Sequence, residues 1–326
     1  MFYVSKKKMT LMEIYMKYHP PLKTRFEEEV EKYWGRRWGV NTEVGRLRMV
    51  LLHRPGEEIN SIKPPYERWR YTYKPDLKEM QRDYETLAEA LREEGVEVVE
   101  RLPEKAKPPR LVKSIYTRDP SFAVPGGVII GRMYDALRRG EELYTMQTLA
   151  KIGCPILRTV NGSGTIEGGS VMWLDPKHLA IGLSFRVNEE GARQVAEVIR
   201  AIDPEIEVKA TPIFGGHIDG FICMVDRKTA VVKREGLAWS FWEYLKDELK
   251  FNIIERPRDV YVAGVALRPG RVLVASGEDK REGIKLLEHE GIDVIEISID
   301  SLVTPRNSGS IHCLTMPIIR DPEPVD

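Results

Sequence analysis

Cysteine is scarce in this chain: Cys154, Cys223 and Cys313 are the whole complement of 326 residues. They lie far apart and form no CxxC pair, which argues against a disulfide framework and against a zinc site. Net charge is also lacking, because fifty Lys and Arg balance fifty Asp and Glu. A neutral total gives no electrostatic reason to expect a nucleic-acid or membrane partner. No apolar run approaches the ~18 residues of a membrane span. Lys6, Lys7 and Lys8 are followed by no long apolar stretch, so no signal peptide is expected. Free thiols without a leader lead to the expectation of a cytoplasmic protein. What is present, 42% apolar and 31% charged residues, suits a globular chain with a large core. The abundance of Glu, Lys and Arg hints at a thermophile.

Residues 1–40 read as an N-terminal helical extension. Thr24 and Glu27 have capping-box spacing, Phe26, Val30, Tyr33 and Trp34 share a helical face, and Gly35 would stop it. Residues 41–326 read as one α/β domain built from a repeat. Five times an amphipathic helix is followed by a short apolar strand: 96–99, 155–157, 206–208, 251–254 and 292–297, about 40 to 60 residues apart. Leu77, Met80, Tyr84, Leu87 and Leu91 mark the first helix, with Asp76 as its N-cap and Gly95 as its stop. Leu143, Met146 and Leu149 mark the second. Two hairpins, 170–183 and 221–233, fall between the units. The early strand 49–53 has no partner helix before it and is expected to pair with 313–319, closing a ring. An ordinary doubly wound α/β sheet accounts for the same alternation; the closing pair favours the ring.

Chemically able side chains recur in the loops after these strands. They are Asp119, Glu167 beside Gly168 and Gly169, His217 and Asp219 after Gly215 and Gly216, and Cys313 after His312. Equivalent repeats would bring them to one end of the ring axis. Such a set suits a guanidinium. Carboxylates grip its planar N–H array. A thiolate attacks its unreactive carbon and divides one hard step into two. A histidine protonates the leaving amine. Singly, each has a commonplace role: a buried thiol, a turn former, a structural histidine. The paired glycines, which let backbone approach a ligand, tip the set toward catalysis. Cys154 and Cys223 are expected to be buried and inert, and Trp239, Trp242 and Tyr244 to pack in the core.

Taken in order, Thr117-Arg118-Asp119, Glu167-Gly168-Gly169, His217-x-Asp219 and His312-Cys313, followed by Thr315 and Pro317, resemble the motifs of the pentein superfamily of guanidino-group-modifying enzymes. That resemblance covers roughly residues 45–320. It implies a five-bladed, pseudo-fivefold α/β propeller. Asp119, Glu167 and Asp219 would hold the guanidinium, His217 would be general acid and base, and Cys313 the nucleophile. Arg138, in Arg138-Arg139-Gly140-Glu141, and Arg186 resemble arginines that hold the amino-acid end of the substrate in arginine deiminases. Exposed helix charge and a loop ion pair are the plainer readings of those two. The family implies no metal and no organic cofactor.

The leading expectation is therefore a C–N hydrolase of arginine or a close derivative, giving citrulline and ammonia, with a small guanidino substrate as partner. An amidinotransferase or a dimethylarginine dimethylaminohydrolase uses the same intermediate. A non-catalytic, ribosome-binding pentein is the remote alternative. Homo-oligomerisation stays open. One departure stands out: the loop before Cys313, Asn307-Ser308-Gly309-Ser310-Ile311, lacks the Arg that arginine deiminases carry there, and the nearest is Arg306. Lys113 stands where Asn is common. Both bear on how a substrate carboxylate is met.

Overall fold

Two helices come first in the computed structural model, which describes residues 9–20, 22–107 and 109–324; Lys6, Lys7 and Lys8 lie outside the described residues. Helix α1 (Leu11–Tyr18) starts at a reciprocal cap. The Thr10 hydroxyl accepts the Glu13 N–H at 3.1 Å, and the Glu13 carboxylate accepts the Thr10 N–H at 2.7 Å. Helix α2 (Phe26–Trp34) begins one residue later than the Thr24–Glu27 spacing suggests. Arg25 is its N-cap, the Glu28 carboxylate accepts the Arg25 N–H, and the Thr24 hydroxyl goes to Glu29 instead. Gly35 ends it in the left-handed region, φ +77°. Val30 alone on α2 is buried, in a core cluster with Trp38.

The remaining elements form five three-stranded sheets. Strand β1 (Leu47–Leu52), helix α3 (Leu77–Glu93) and β2 (Glu97–Glu100) begin the first blade. The second holds β3 (Ser121–Val124), β4 (Gly127–Ile130), α4 (Glu141–Lys151) and β5 (Ile156–Thr159). The third holds β6 (Val171–Asp175), β7 (His178–Leu183), α5 (Glu189–Ile202) and β8 (Glu207–Pro212). The fourth holds β9 (Ile222–Asp226), β10 (Thr229–Val232), α6 (Trp239–Glu243) and β11 (Asn252–Glu255). The fifth holds β12 (Gly264–Arg268), β13 (Arg271–Ala275), α7 (Arg281–His289) and β14 (Asp293–Ile297). A short helix α8 (Ile311–Leu314) then leads into β15 (Met316–Arg320).

Every sheet has one pattern: an antiparallel pair, then a parallel third strand reached through the blade's helix. The long crossover is what a parallel pair requires. β15 pairs antiparallel with β1 and completes the first blade, so the ring closes with strands from both ends of the array. The architecture is a five-bladed α/β propeller. The closing strand starts later than expected, because Cys313 lies in α8 and not in the strand.

Helix α4 is turned from the expected stripe. Leu143 is exposed, while Glu141, Thr145, Thr148 and Leu149 face inward. Trp242 and Tyr244 are buried as expected, but Trp239 is exposed under the Arg234 guanidinium. Among the described residues, no helix is long and apolar enough to cross a membrane.

The propeller decides where the functional loops go. The segment just before the first strand of each blade carries, in turn, Cys313, Asp119, Glu167, the His217–Asp219 pair, and Tyr261. Pseudo-fivefold equivalence therefore brings polar groups from five segments to one end of the axis.

Candidate active site

Asp119 is held by its two predecessors. The Thr117 hydroxyl sits 2.8 Å from the Leu51 carbonyl and 2.9 Å from that of Leu314. The Arg118 N–H donates to the Cys313 carbonyl at 3.2 Å, and its Nε to that of Thr315 at 2.9 Å. The Asp119 loop and the Cys313 loop are thus laced together by backbone acceptors. The adjoining Glu167 loop docks through glycine. Gly168 N–H donates to the Asp119 carbonyl at 2.8 Å, and a Cβ there would lie 2.2 Å from the Arg118 oxygen. A Cβ on Gly169 would lie 2.7 Å from His217 Nδ1 and 2.9 Å from Asp119 Oδ1. A Cβ on Gly215 would strike the Phe221 ring. Glycine at 168 and 169 lets protein approach protein, a different reason from the ligand approach expected from sequence.

His217 sits between two carboxylates. Its Nε2 is 2.7 Å from Glu167 Oε2 and its Nδ1 3.6 Å from Asp119 Oδ1. Burial favours the neutral ring, yet the Asp119 charge and the Glu167 bond together raise its pKa above the ordinary value. Against the same burial, His217, Arg138 and Arg186 hold Glu167 far below the usual carboxylate range. Asp219 faces elsewhere. Its Oδ2 is 2.9 Å from Nδ1 of His312, whose Nε2 lies 3.7 Å from Glu43. Although burial opposes it, the His312 bond and charge bring the Asp219 pKa down.

Cys313 is half-buried at the N-terminal turn of α8. Burial first, then the charges of Asp219 and Asp119, push its thiol up to about 12. Ser310 works the other way: its hydroxyl lies 3.3 Å from the sulfur and accepts the Cys313 N–H at 3.3 Å. Cys154 and Cys223 are buried, and burial raises them to about 12 and about 11.

Arg138 is neither an exposed helix charge nor a free arm. It is buried, donates to Glu141 at 2.7 Å and to the Tyr116 carbonyl at 2.9 Å, and also binds Asp119. Arg186 Nη1 binds Glu167 Oε2 at 2.8 Å. A cavity of about 100 Å³ is lined by Asp119, His217, Cys313, Arg138 and Arg186, joined by Arg70, Lys113, Tyr116, Gly216 and Ser308. Two polar atoms of its lining residues are buried without a hydrogen-bond partner, the acceptor Asp119 Oδ1 and the donor Arg186 Nε. Arg306 is absent from that lining and is paired with Glu79.

The donor atoms of Asp119, Glu167 and His217 lie within 4.8 Å of one another, close enough to hold a metal ion. Arg138 and Arg186 already bind the two carboxylates, so a divalent ion would enter against two guanidinium charges.

The arginine deiminase family model matches residues 109–245. An arginine deiminase of Staphylococcus haemolyticus is 24% identical across 86% of this chain and 98% of its own. In fold the chain is similar to a dimethylarginine dimethylaminohydrolase from Pseudomonas aeruginosa solved with citrulline. The TM-score is 0.66 at 20% identity, over 83% of this chain and 99% of that one. It is also similar to the inosamine-phosphate amidinotransferase of Streptomyces griseus. Here the TM-score is 0.65 at 16% identity, over 87% and 97%. The chain is thus similar in sequence to arginine deiminases and shares the fold of guanidino-group-modifying enzymes.

The structure gathers Asp119, Glu167, His217, Arg138 and Arg186 into one bonded cluster, with Cys313 on the same cavity. Asp219 is set to one side by His312. Arg70 and Tyr261 escaped the sequence reading, as did the roles of Lys113 and Ser310, which it named only as departures in sequence. Lys113 spans three loops: its ammonium donates to the Arg70 carbonyl at 2.7 Å, binds Asn307, and lies 3.6 Å from the Tyr71 ring centre. Burial, reinforced by Arg138 and Arg70, pushes its pKa well below the ordinary lysine value. Tyr261 carries no motif; only its place in the repeat, after the fourth blade's last strand, marks it.

Proposed function

We propose that this chain is a pentein that hydrolyses the guanidinium group of arginine or a close derivative through a covalent amidino-thioether on Cys313. The observation that carries the reading is a pair of buried atoms that lack a hydrogen bond. Asp119 Oδ1 is a buried acceptor suited to a guanidinium N–H, and Arg186 Nε is a buried donor suited to a carboxylate. A buried polar atom without a partner is costly, and a zwitterionic guanidino acid satisfies both at once. Arg138 then serves mainly to hold Asp119 in place.

The chemistry follows from the charges. Without substrate, burial and two nearby carboxylates keep Cys313 a thiol. A bound guanidinium brings positive charge beside the sulfur and favours the thiolate. The thiolate attacks the central carbon, and the C–N bond breaks as protonated His217 gives its proton to the departing ammonia. An amidino-thioether remains. His217, now neutral, takes a proton from an entering water, the C–S bond breaks, and a ureido product leaves. Asp119 and Glu167 fix the plane of the reacting group throughout. Transfer of the amidino group to an amine shares the first half-reaction and differs only in what enters second.

The test is incubation with L-arginine, with and without glycine, following ureido product, ammonia and intact mass beside Cys313→Ala. Ureido product and ammonia from arginine alone, both lost in the variant, is the expected result. Product only with glycine assigns amidino transfer. If arginine is inert, methylated arginines and agmatine are screened next. No adduct on Cys313 and no turnover with any of these compounds overturns the proposal.

A further inference from the structure

A second cavity shares no lining residue with that of Cys313 and is independent of the chemistry proposed there. It measures about 10 Å³, room for one particle of about the size of a water. Its polar walls are Thr42, Glu43, Arg118 and Arg320, and its apolar walls include Trp173 and Met316. Arg118 and Arg320 are only 4% and 3% exposed.

Three donors on these walls have no acceptor among the described residues. Arg118 gives Nε to the Thr315 carbonyl and Nη1 to Glu43 at 3.4 Å, while its Nη2 is buried without a hydrogen bond. Arg320 gives Nη1 to the carbonyls of Gly45 at 2.6 Å and Ala266 at 2.7 Å, and its Nε is buried without one. The Thr42 oxygen accepts the Val44 N–H at 3.1 Å, which leaves its own O–H to donate.

The charges around the cavity do not cancel. Glu43 is the carboxylate on its walls, and it is set against Arg118 at 3.4 Å and His312 at 3.7 Å. His312 in turn meets Asp219 at 2.9 Å. Arg320 makes no ion pair among the described residues; its acceptors are carbonyls. Burial lowers its pKa to about 10, with Glu43 opposing and Arg118 assisting, which leaves it charged near neutral pH. Pairing Arg118 with Glu43 and His312 with Asp219 leaves one guanidinium charge over. A buried charge without a counter-charge is costly, the more so among apolar walls. A water would answer the donors and leave the charge. An anion answers both, and a void this small has no room for phosphate, sulfate or a carboxylate.

We propose that this cavity binds one monoatomic anion, chloride or a like halide, held by Arg118 Nη2, Arg320 Nε and the Thr42 hydroxyl. The ion enters from a cleft of about 120 Å³ lined by Arg37, Trp38 and Asn41, which shares Val40 and Arg320 with the cavity. Once bound, it steadies the side chain of Arg118, whose N–H meets the Cys313 carbonyl.

Two measurements test this. Crystals of the full chain soaked in sodium bromide are read by anomalous scattering. Melting temperatures are compared in equal concentrations of sodium chloride and sodium gluconate, whose anion is too large for the cavity. One bromide peak between the two guanidinium groups is expected. An ion held at roughly 10 mM affinity would, at about 0.2 M, favour the folded state about twentyfold. That corresponds to a rise of about 3 °C for chloride over gluconate. Arg320→Met should abolish the rise. Thr42→Val, which keeps the shape and removes one donor, should weaken binding about tenfold and cut the rise to about 1 °C. If Arg320→Met does not fold, Thr42→Val and the bromide map decide. Water alone between the guanidinium groups overturns the inference. So does a chloride effect unchanged in the variants, which would place the ion elsewhere, for example at the arginines of the Cys313 cavity. A bromide peak without chloride-dependent melting is binding at crystal concentration only, and overturns it as well.

Discussion

His217 and His312 have nearly the same company and opposite access. Each ring lies near two carboxylates: Glu167 and Asp119 for one, Asp219 and Glu43 for the other. Their side chains are equally buried, at 13% exposure. Only His217 lines the cavity with Cys313. His312 looks toward Glu43, which also meets Arg118 and lines a different pocket with Arg118 and Arg320. Arginines stand behind carboxylates of both constellations, but one opens on the Cys313 cavity and the other does not. Residue types do not distinguish the two; their place relative to that cavity does.

Four measurements break or sharpen that contrast. The largest effect is expected at His217. His217→Asn should lower turnover by about a thousandfold with little loss of melting temperature, within the usual range for removing a general acid. A similar loss in His312→Asn would erase the distinction. Glu43 comes next and acts on stability. Burial works to raise its pKa, but Arg118, His312 and Arg320 bring it from 4.5 to about 2. Its contribution is therefore fully present above pH 4.5 and is lost as pH falls toward 2. A shift of that size corresponds to about 3 kcal/mol. Denaturant midpoints of Glu43→Gln should fall clearly below wild type at pH 7 and converge with it near pH 2.

Third, His312→Asn should reduce turnover by about tenfold or less and act mainly through melting temperature, since its ring braces Asp219 rather than facing the cavity. The smallest effect belongs to the His217 titration. Its midpoint, followed by NMR, should lie above 6.5, and Glu167→Gln should bring it down by about one unit, the worth of one charge-assisted bond. Because that pKa is raised, the stability it contributes is present below pH 6.5 and fades as pH rises through the folded value. A midpoint at or below 6.5 would reverse the proton assignment at the site.

Much of the fold was legible because each outer strand follows a helix with a one-sided stripe, and that alternation needs no distant partner to be seen. The hairpins of the second and fifth blades were not. Ser121–Val124 and Gly127–Ile130 are buried on both faces, so they lack the alternation that marks a half-exposed strand. Helix α4 misled for a related reason: its inward face is polar, carrying Glu141 to Arg138. The motif residues were found in order and type, but not their pairings. Nothing local says that Arg138 is spent on Asp119, that Asp219 goes to His312, or that Gly169 yields room to His217. Those are facts of ring closure, which joins residues far apart in the chain.

The closing pair of β15 with β1 also sets a schedule for synthesis. The ribosome delivers Asp119, Glu167 and His217 well before Cys313, and Cys313 only three residues ahead of the strand that shuts the ring. A nascent chain with four blades complete holds Asp119, Glu167 and His217 without the sulfur proposed to react beside them. Its Asp119 loop also lacks the Cys313 and Thr315 carbonyls that Arg118 uses to lace it in place. The thiol and the scaffold that orders its partners therefore arrive together, within the last segment of the ring to emerge.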